Sequence, residues 1–555
     1  MKQSGGKIRI AAETLAASTS ILGLILICAP AARAQTWSEV VLHSFDGKDG
    51  LQPMAGVIQD GDGNLYGTTE LGGANSLGTV FRLTSSGKLT TLHSFCSEGG
   101  SACTDGVFPL AGVIQGSDGN FYGTTSEAGA NGVGTVFKIT PSGTLTTLYS
   151  FCSQADCTDG ESPAAGLIEG SDGYFYSTTY AGGANENESD DYSGGTVFKI
   201  APSGTLTTLY SFCSMLVPGT DVCLDGSEPE AGLTQGSDGN FYGTTYAGGA
   251  NGFGTVFELT PSGTLTTLYS FCSEGGDACA EGAFPSGGVI QGSDGNFYGT
   301  TGHGGANDRG NWADGVGTVF KLTPSGTLTS LYSFCSQADC TDGQYPYGVI
   351  QGSDGNLYGT TLSGGANTYG GTVFEITPSG MLTTLYSFCA TFPTTNFCLD
   401  GGGSQAALIQ GSDGSLYGTT TTGGGRSIRK GRAYYQDGTV FELSPPPGYI
   451  KVVPTKLTLK AESNAQASAI ITIENTGTGQ VTVDISEPKH DPPFSEVGGG
   501  NSIAIGAGGS YQIMIAYSPT NSTTSKEKSD SITVKATNND PKQKKPITVT
   551  LKGGK

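Results

Sequence analysis

Asp62-Gly63-Asn64-Leu65-Tyr66-Gly67-Thr68-Thr69 decides the fold, because the phrase returns from Asp118, Asp172, Asp238, Asp294, Asp354 and Asp413. The copies start 56, 54, 66, 56, 60 and 59 residues apart. A fixed period of this length marks a solenoid, an array or a propeller. The second unit shows what repeats. Ala111-Gly112-Val113-Ile114-Gln115 ends at Gly116-Ser117-Asp118-Gly119, and Phe121-Tyr122-Gly123-Thr124-Thr125 follows. The loop Ala128-Gly129-Ala130-Asn131-Gly132 leads to Thr135-Val136-Phe137-Lys138-Ile139, then Pro141-Ser142-Gly143 turns into Leu145–Phe151. Short β-branched and aromatic runs between such turns predict hairpins, so each unit is a four-stranded antiparallel meander. The alternation is imperfect, as expected where both sheet faces are packed.

Seven four-stranded units predict a seven-bladed β-propeller. The chain opens on a lone fourth-strand segment, Val40–Phe45, and the seventh unit stops after its third strand, Thr439–Leu443, before Pro445-Pro446-Pro447. The first segment supplies what the last blade lacks, so the expected fold is a ring closed by its N-terminal strand, with no free edge. The expected layout is a signal peptide over 1–34, the propeller over 35–448 and an immunoglobulin-like β-sandwich over 449–555.

Lys2, Lys7 and Arg9, the apolar run Ile21–Ile27, and Ala32-Arg33-Ala34 before Gln35 form the pattern of a secretory signal, with cleavage expected after Ala34. Ile27 is too bulky for lipoprotein processing at Cys28, and no later apolar run is long enough to span a bilayer. An exported product is expected: extracellular, cell-surface or periplasmic. The other twelve cysteines fall into local pairs: Cys96/Cys103, Cys152/Cys157, Cys213/Cys223, Cys272/Cys279, Cys335/Cys340 and Cys389/Cys398. An even count in an exported chain implies disulfides, each pair closing its own loop or adjacent loops cross-linked. No histidine shares these segments and the spacings vary, which argues against zinc. Asp46 follows Phe45 where the other units have cysteine, so the closure point has no bridge.

Charge is uneven. Residues 35–448 carry 39 acidic and 11 basic side chains, whereas 449–555 carry 9 and 12. An acidic propeller repels phosphates, which excludes nucleic acid as a partner. About seven strand candidates follow Thr455, among them Lys456–Lys460, Ala469–Asn475, Val481–Ser486, Tyr511–Tyr517, Ser531–Ala536 and Ile547–Leu551, a density suggesting a sandwich. With Asn475-Thr476-Gly477, Tyr517-Ser518-Pro519 and Asn538-Asn539-Asp540-Pro541, this region resembles the ASPM/SPD-2/Hydin-type Ig-like domains, which implies a spacer or adhesion role.

The phrase Gly236-Ser237-Asp238-Gly239-Asn240-Phe241-Tyr242-Gly243-Thr244-Thr245, with Gly248-Gly249-Ala250-Asn251 and Gly254-Thr255-Val256-Phe257, resembles the Gloeo/Verruco (GloVer) repeat across residues 40–443. The resemblance implies an exported bacterial protein built of repeats and carries no activity. Unlike anchored members, this chain ends Leu551-Lys552-Gly553-Gly554-Lys555, without a sorting tail. Kelch and WD40 repeats need a recurrent Trp, and only Trp37 and Trp312 exist.

The loops between second and third strands and between blades share one face, and they vary where the turns do not. Function is expected there. The Asp-Gly turns are hairpin signals before they are calcium ligands. Glu186, Glu188, Asp190 and Asp191 concentrate oxygen in blade three's loop and are the better calcium candidates, against a plain solvated acidic loop; no other cofactor is expected. Blade five's loop holds His303, Asn307, Asp308, Arg309, Trp312 and Asp314, an aromatic face beside hydrogen-bonding groups that suits a sugar. The alternative is a Trp packed back on its blade. Blade seven's loop sets Arg426, Arg429, Lys430 and Arg432 beside Tyr434 and Tyr435, suited to an acidic polysaccharide or lipid headgroup, or simply offsetting the acidic ring.

Catalysis finds little. His43 and His93 stand where other units have Tyr149, Tyr210 or Tyr269, His490 lies in the C-terminal region, and His-Glu-x-x-His, Gly-x-Ser-x-Gly and phosphate-loop patterns are missing. The expectation is a non-enzymatic scaffold binding an extracellular glycan or protein. A polysaccharide lyase or glycoside hydrolase with paired channel carboxylates and a purely structural surface protein are the alternatives.

Overall fold

The computed structural model describes residues 37–554 apart from 99, 186–193, 274–278, 308–315, 368–369, 391–397, 412, 425–426, 430–431, 435–436, 447–449, 454–455, 461–466, 476–480, 487–493, 498–502, 506–508, 518–527 and 537–546. The expected signal peptide and Cys28 lie outside these residues, as does His490. The chain is all-β and forms a seven-bladed propeller from seven four-stranded antiparallel sheets. In blade one the strands are Ile58–Gln59, Leu65–Thr69, Thr79–Leu83 and Leu89–Ser94, in that order from the axis outward. Blade seven takes Ile409–Gln410, Leu416–Thr420 and Thr439–Ser444. Ser38–Ser44 occupies its outer position, paired antiparallel from Ser38 opposite Ser444 to Ser44 opposite Thr439.

The second strand is buried on both faces in every blade. One face packs across the gap to the next blade: Tyr66 stacks on Phe121 at 4.1 Å, Tyr122 on Phe175 at 4.0 Å and Tyr176 on Phe241 at 4.0 Å. The aromatics therefore build cores between blades. Tyr66, Val80 and Phe95 of blade one share a cluster with Val113, Phe121 and Phe137 of blade two. Tyr417 and Val440 of blade seven share another with Phe45, Val57, Leu65 and Phe81.

First strands are shorter than their apolar runs suggest. Only Ile114–Gln115 pairs in blade two, because the preceding Ala111-Gly112 runs along the axis against its neighbours. A Cβ on Gly56 would lie 2.5 Å from the Ala407 carbonyl, and one on Gly112 would lie 3.0 Å from the Gly56 carbonyl. Glycine is required where backbones meet that closely. A belt of threonines ties these inner segments together. Thr68 donates its hydroxyl to the Ala111 carbonyl (2.8 Å), Thr124 to Ala165 (3.1 Å), Thr244 to Gly287 (3.1 Å), Thr360 to Ala406 (3.0 Å) and Thr419 to Ala55 (2.9 Å). Thr178 reaches Pro229 and Ala231 in the same way.

Among the described residues, nine strands follow Ile450 in two sheets. Ile450–Val453, Ala467–Asn475, Ser510–Tyr517 and Phe494–Val497 form one, and the other runs Lys456–Lys460, Ile547–Gly554, Lys528–Ala536, Val481–Ile485, Ile503–Ile505. Ile471, Ile473, Ile513 and Ile515 of the first share a core with Val481, Val483, Val534, Val549 and Leu551 of the second. The alternating burial of Val481–Ile485 is that of a strand with one face on a core.

Candidate functional site

The variable loops sit on a stiff frame. Six disulfides join Cys96–Cys103, Cys152–Cys157, Cys213–Cys223, Cys272–Cys279, Cys335–Cys340 and Cys389–Cys398. Inside the second loop the buried Asp159 accepts from the Tyr149 hydroxyl at 2.7 Å and from the Ser153 and Gln154 amides. His93 makes the equivalent contact to the buried Asp105 (Nε2–Oδ2 2.9 Å), and His43 reaches Asp49 at 2.8 Å. These two histidines are thus parts of the loop frame. Each bridged loop also grips the next blade: Gly129 donates to the Cys103 carbonyl, Gly249 to Cys223 and Gly424 to Cys398. Bridges Val107–Glu127, Ser227–Ala247 and Ala283–His303 pair blade connections with the loops between second and third strands, so both loop classes share one face.

On this frame Asn307 donates its amide to the Ser333 and Phe334 carbonyls (2.9 Å each), as Asn131 does to Phe151 and Asn251 to Phe271. That is a loop brace common to the blades. His303 stands edge-on between Phe284 and Tyr345, with centroids 5.6 and 5.7 Å away. Asp308, Arg309, Trp312, Asp314, Glu186, Glu188, Asp190, Asp191, Arg426, Lys430 and Tyr435 lie outside the described residues. The backbone of Ser427–Arg429 pairs with that of Arg432–Tyr434 in a small hairpin, with Arg429 in register with Arg432 and Ser427 with Tyr434. The Asp-Gly turns are self-capped: Asp118 accepts from the Asn120 amide, the Tyr122 hydroxyl and Lys138, whose hydrogen bonds hold its carboxyl well below the usual range against the opposing effect of desolvation.

The structure adds a site the loop-based reading missed, the mouth of the axial channel. The channel encloses about 640 Å³ and is lined by the inner segments of all seven blades. Just before each segment stands a residue with left-handed backbone: Gln52, Phe108, Ser162, Glu228, Phe284, Tyr345 and Gly403, with φ between 50° and 66°. Such a conformation costs a non-glycine residue about 1–3 kcal/mol and recurs at functional sites. Backbone bonds impose it. The Phe108 amide donates to the Leu77 carbonyl of the preceding blade and its own carbonyl accepts from Ser126. Proline follows at 53, 109, 163, 229, 285 and 346, yet the residues on either side of it differ from blade to blade. That contrast of a constant proline between changing neighbours was the signal available in the sequence.

Glu127 lines the channel from blade two, whereas the aromatic side chains gather elsewhere on its wall. On the side of blades three to six, Tyr180, Glu230 and Tyr347 line the channel, and an adjoining cavity of about 370 Å³ adds Tyr246, His303, Tyr345 and Leu362. Burial first, and the Glu228 carboxylate second, raises the Glu230 carboxyl to about 7. Burial also raises the phenols of Tyr180, Tyr246 and Tyr347, with Glu228 or Glu230 next in effect. Carboxylates and aromatic faces thus converge on one wall, an arrangement that can stack a ring and accept hydrogen bonds from it.

A model of the Gloeobacter/Verrucomicrobia repeat matches residues 3–222, 101–281, 215–311 and 277–482. No curated protein matches the chain. Among solved structures, PorZ, an essential bacterial surface component of the type-IX secretion system of Porphyromonas gingivalis, aligns with 92% of this chain at 13% identity and a TM-score of 0.44; the alignment spans 61% of PorZ. The ASH/PapD-like domain of human CEP192 aligns with 19% of this chain and 83% of its own length, at 15% identity and a TM-score of 0.16. WR4, an MSP family member of C. elegans, aligns with 19% of this chain and 95% of its own, at 13% identity and a TM-score of 0.14.

Proposed function

The chain belongs to the Gloeobacter/Verrucomicrobia repeat family, and from that premise we propose that it is an exported, non-enzymatic recognition scaffold for an extracellular glycan or protein. In this reading residues 1–34 direct export, residues 35–448 are the propeller, and residues 449–555 are an Ig-like sandwich that spaces or docks it. The N-terminal strand closes the ring, supported by its pairing with Thr439–Ser444. Six disulfides support an oxidising compartment. Among the described residues, no helix is long and apolar enough to cross a membrane.

One observation carries the proposal. The frame repeats down to individual hydrogen bonds, whereas the side chains at the mouth vary from blade to blade, on backbone held in a left-handed conformation. A rigid scaffold with varied display on one face is what recognition needs. The proposed ligand residues also include His303, Asp308 and Trp312, the basic residues Arg426, Arg429, Lys430 and Arg432, and Tyr434. The test is a binding screen of residues 35–555 against glycans and envelope fractions, with Trp312→Ala, Tyr347→Ala and a variant carrying Ser at the four basic positions of 426–432. Binding lost in one variant with unchanged folding supports the proposal, and no binding by the parent chain to any fraction removes it. A second reading as a glycan hydrolase draws on Glu230, a carboxyl held near neutrality beside a second one. Reducing ends released by the parent chain and not by Glu230→Gln would establish that reading instead.

A further inference from the structure

The spacing of the repeat changes at one mouth proline, and the change coincides with the acidic, aromatic wall. From the mouth proline to the buried aliphatic residue of the inner segment the spacing is otherwise constant: Pro53 to Val57, Pro109 to Val113, Pro163 to Leu167, Pro229 to Leu233 and Pro285 to Val289. In blade six, Pro346 to Val349 is one residue shorter. The chain compensates by straightening. Gln344–Gln351 is an eight-residue strand where other blades pair two residues, and Tyr347 takes a place on the channel wall. The inter-blade belt fails at the same point. Thr300 is the counterpart of the donors Thr68, Thr124, Thr178, Thr244, Thr360 and Thr419. Its hydroxyl is fully buried and finds no acceptor among the described residues. It lies 3.0 Å from where a Cβ on the channel-lining Gly287 would stand. The hydroxyl of Ser286, a residue that lines both cavities, likewise has no partner among the described residues.

We propose that this break between blades five and six is a binding pocket for an unacetylated amino sugar, its ammonium group held against Glu230 and its ring against Tyr246 and Tyr347. The inference deepens the recognition reading and rests on it. Three observations favour this chemistry. The described residues lining the two cavities include the carboxylates Glu127 and Glu230, with His303 in the smaller one and no Lys or Arg in either, and Glu230 is the carboxylate that the two cavities share, so the wall is matched to a cation. Tyrosine faces attract ammonium groups and pack against the C–H face of a pyranose. The smaller cavity shares Glu230, Ser286 and Tyr347 with the larger channel, so one sugar unit fits the pocket while the glycan continues along the axis. A half-buried carboxyl next to another carboxylate is also a site where an arriving cation supplies the missing countercharge.

The test is calorimetric titration of the mature chain at pH 6.5 with three probes: a glucosamine tetramer, its N-acetylated counterpart and tetralysine. The expected result is binding of the glucosamine tetramer, with at least tenfold weaker binding of the acetylated form and of tetralysine. Glu230→Gln and Tyr347→Ala each lose at least tenfold. Glu98→Gln, at an exposed carboxylate on a bridged loop that lines neither cavity, binds like the parent. Circular dichroism and thermal melts establish that the variants fold. Equal affinity for the acetylated tetramer, or binding indifferent to Glu230→Gln, overturns the ammonium contact. Tetralysine bound as tightly overturns the sugar. A glycan or protein found by the wider screen and indifferent to both variants overturns this pocket and leaves the recognition reading standing, whereas an empty screen removes both.

Discussion

The threonine belt makes a prediction with opposite signs at equivalent positions. Thr124 is fully buried and donates to the Ala165 carbonyl of the next blade at 3.1 Å. Thr124→Val keeps the shape, deletes that bond and leaves a carbonyl partly unsatisfied, at a cost of about 1–3 kcal/mol. Thr300 is equally buried and has no acceptor among the described residues, so Thr300→Val removes an unmatched polar group and gains about 1 kcal/mol. With an unfolding entropy near 2.1 cal/mol/K per residue, a cooperative unit of about 400 residues shifts by about 1 °C per kcal/mol. Differential scanning calorimetry at fixed pH, disulfides intact, should therefore place Thr124→Val about 1–3 °C below the parent and Thr300→Val about 1 °C above it. A Thr300→Val chain that melts as low as Thr124→Val refutes the reasoning, since it would mean that the Thr300 hydroxyl has an acceptor. If both melt with the parent, the belt contributes nothing.

Glycine on the axis gives a second contrast: a Cβ at Gly56 meets the Ala407 carbonyl at 2.5 Å, whereas at Gly166 the nearest atom is 3.9 Å away. Gly56→Ala should cost about 2 kcal/mol or more by forcing the backbones apart and Gly166→Ala about nothing, as read from urea midpoints. The Glu39 carboxyl is raised to about 7 by burial, with the Asp400 carboxylate next. The folded state thus binds the extra proton between about 4.5 and 7, and stability falls as pH rises through that window. After discounting for partial solvent screening, Glu39→Gln should be about 1–2 kcal/mol more stable than the parent at pH 8, a gap that closes at pH 4.5 in parallel melts. At pH 5.5 the amines of the glucosamine tetramer are already ammonium while the Glu230 carboxyl, raised to about 7, is still protonated, so binding should release about one proton as Glu230 ionises among Glu228, Tyr180, Tyr246, Tyr347 and His303. The observed binding enthalpy should then differ between acetate and Bis-Tris by about the difference in their ionisation enthalpies, and identical enthalpies would count against it.

The architecture was legible because the residues that build it are the ones that repeat. Tyr-Gly-Thr-Thr and Thr-Val-Phe carry inter-blade cores and belts, so their recurrence announces the strands they form. The His-for-Tyr exchange at positions 43 and 93 could also be read, since a ring donor at that place meets the carboxylate one loop later. First strands were overestimated, because an apolar run does not reveal that Gly112 must pass within contact of Gly56. The channel mouth was missed for a different reason. Rarity drew attention to Trp312 and the basic hairpin, whereas the residues flanking each mouth proline look like ordinary loop variation. The residue missing between Pro346 and Val349 is visible in the sequence. Its consequence at Thr300 is not, because donor and acceptor stand more than 40 residues apart in every intact copy of the belt.

The left-handed residues ahead of the mouth prolines are held by main-chain atoms on both sides. The fold therefore reads a backbone at these positions and accepts several letters there: glutamine, phenylalanine, serine, glutamate and tyrosine precede the prolines, and glycine takes the corresponding place in blade seven. Each blade works as an address whose content can be exchanged by a single codon. A lineage of such proteins, or a laboratory library confined to these positions, can change what the ring reads while inheriting unaltered the scaffold that reads it.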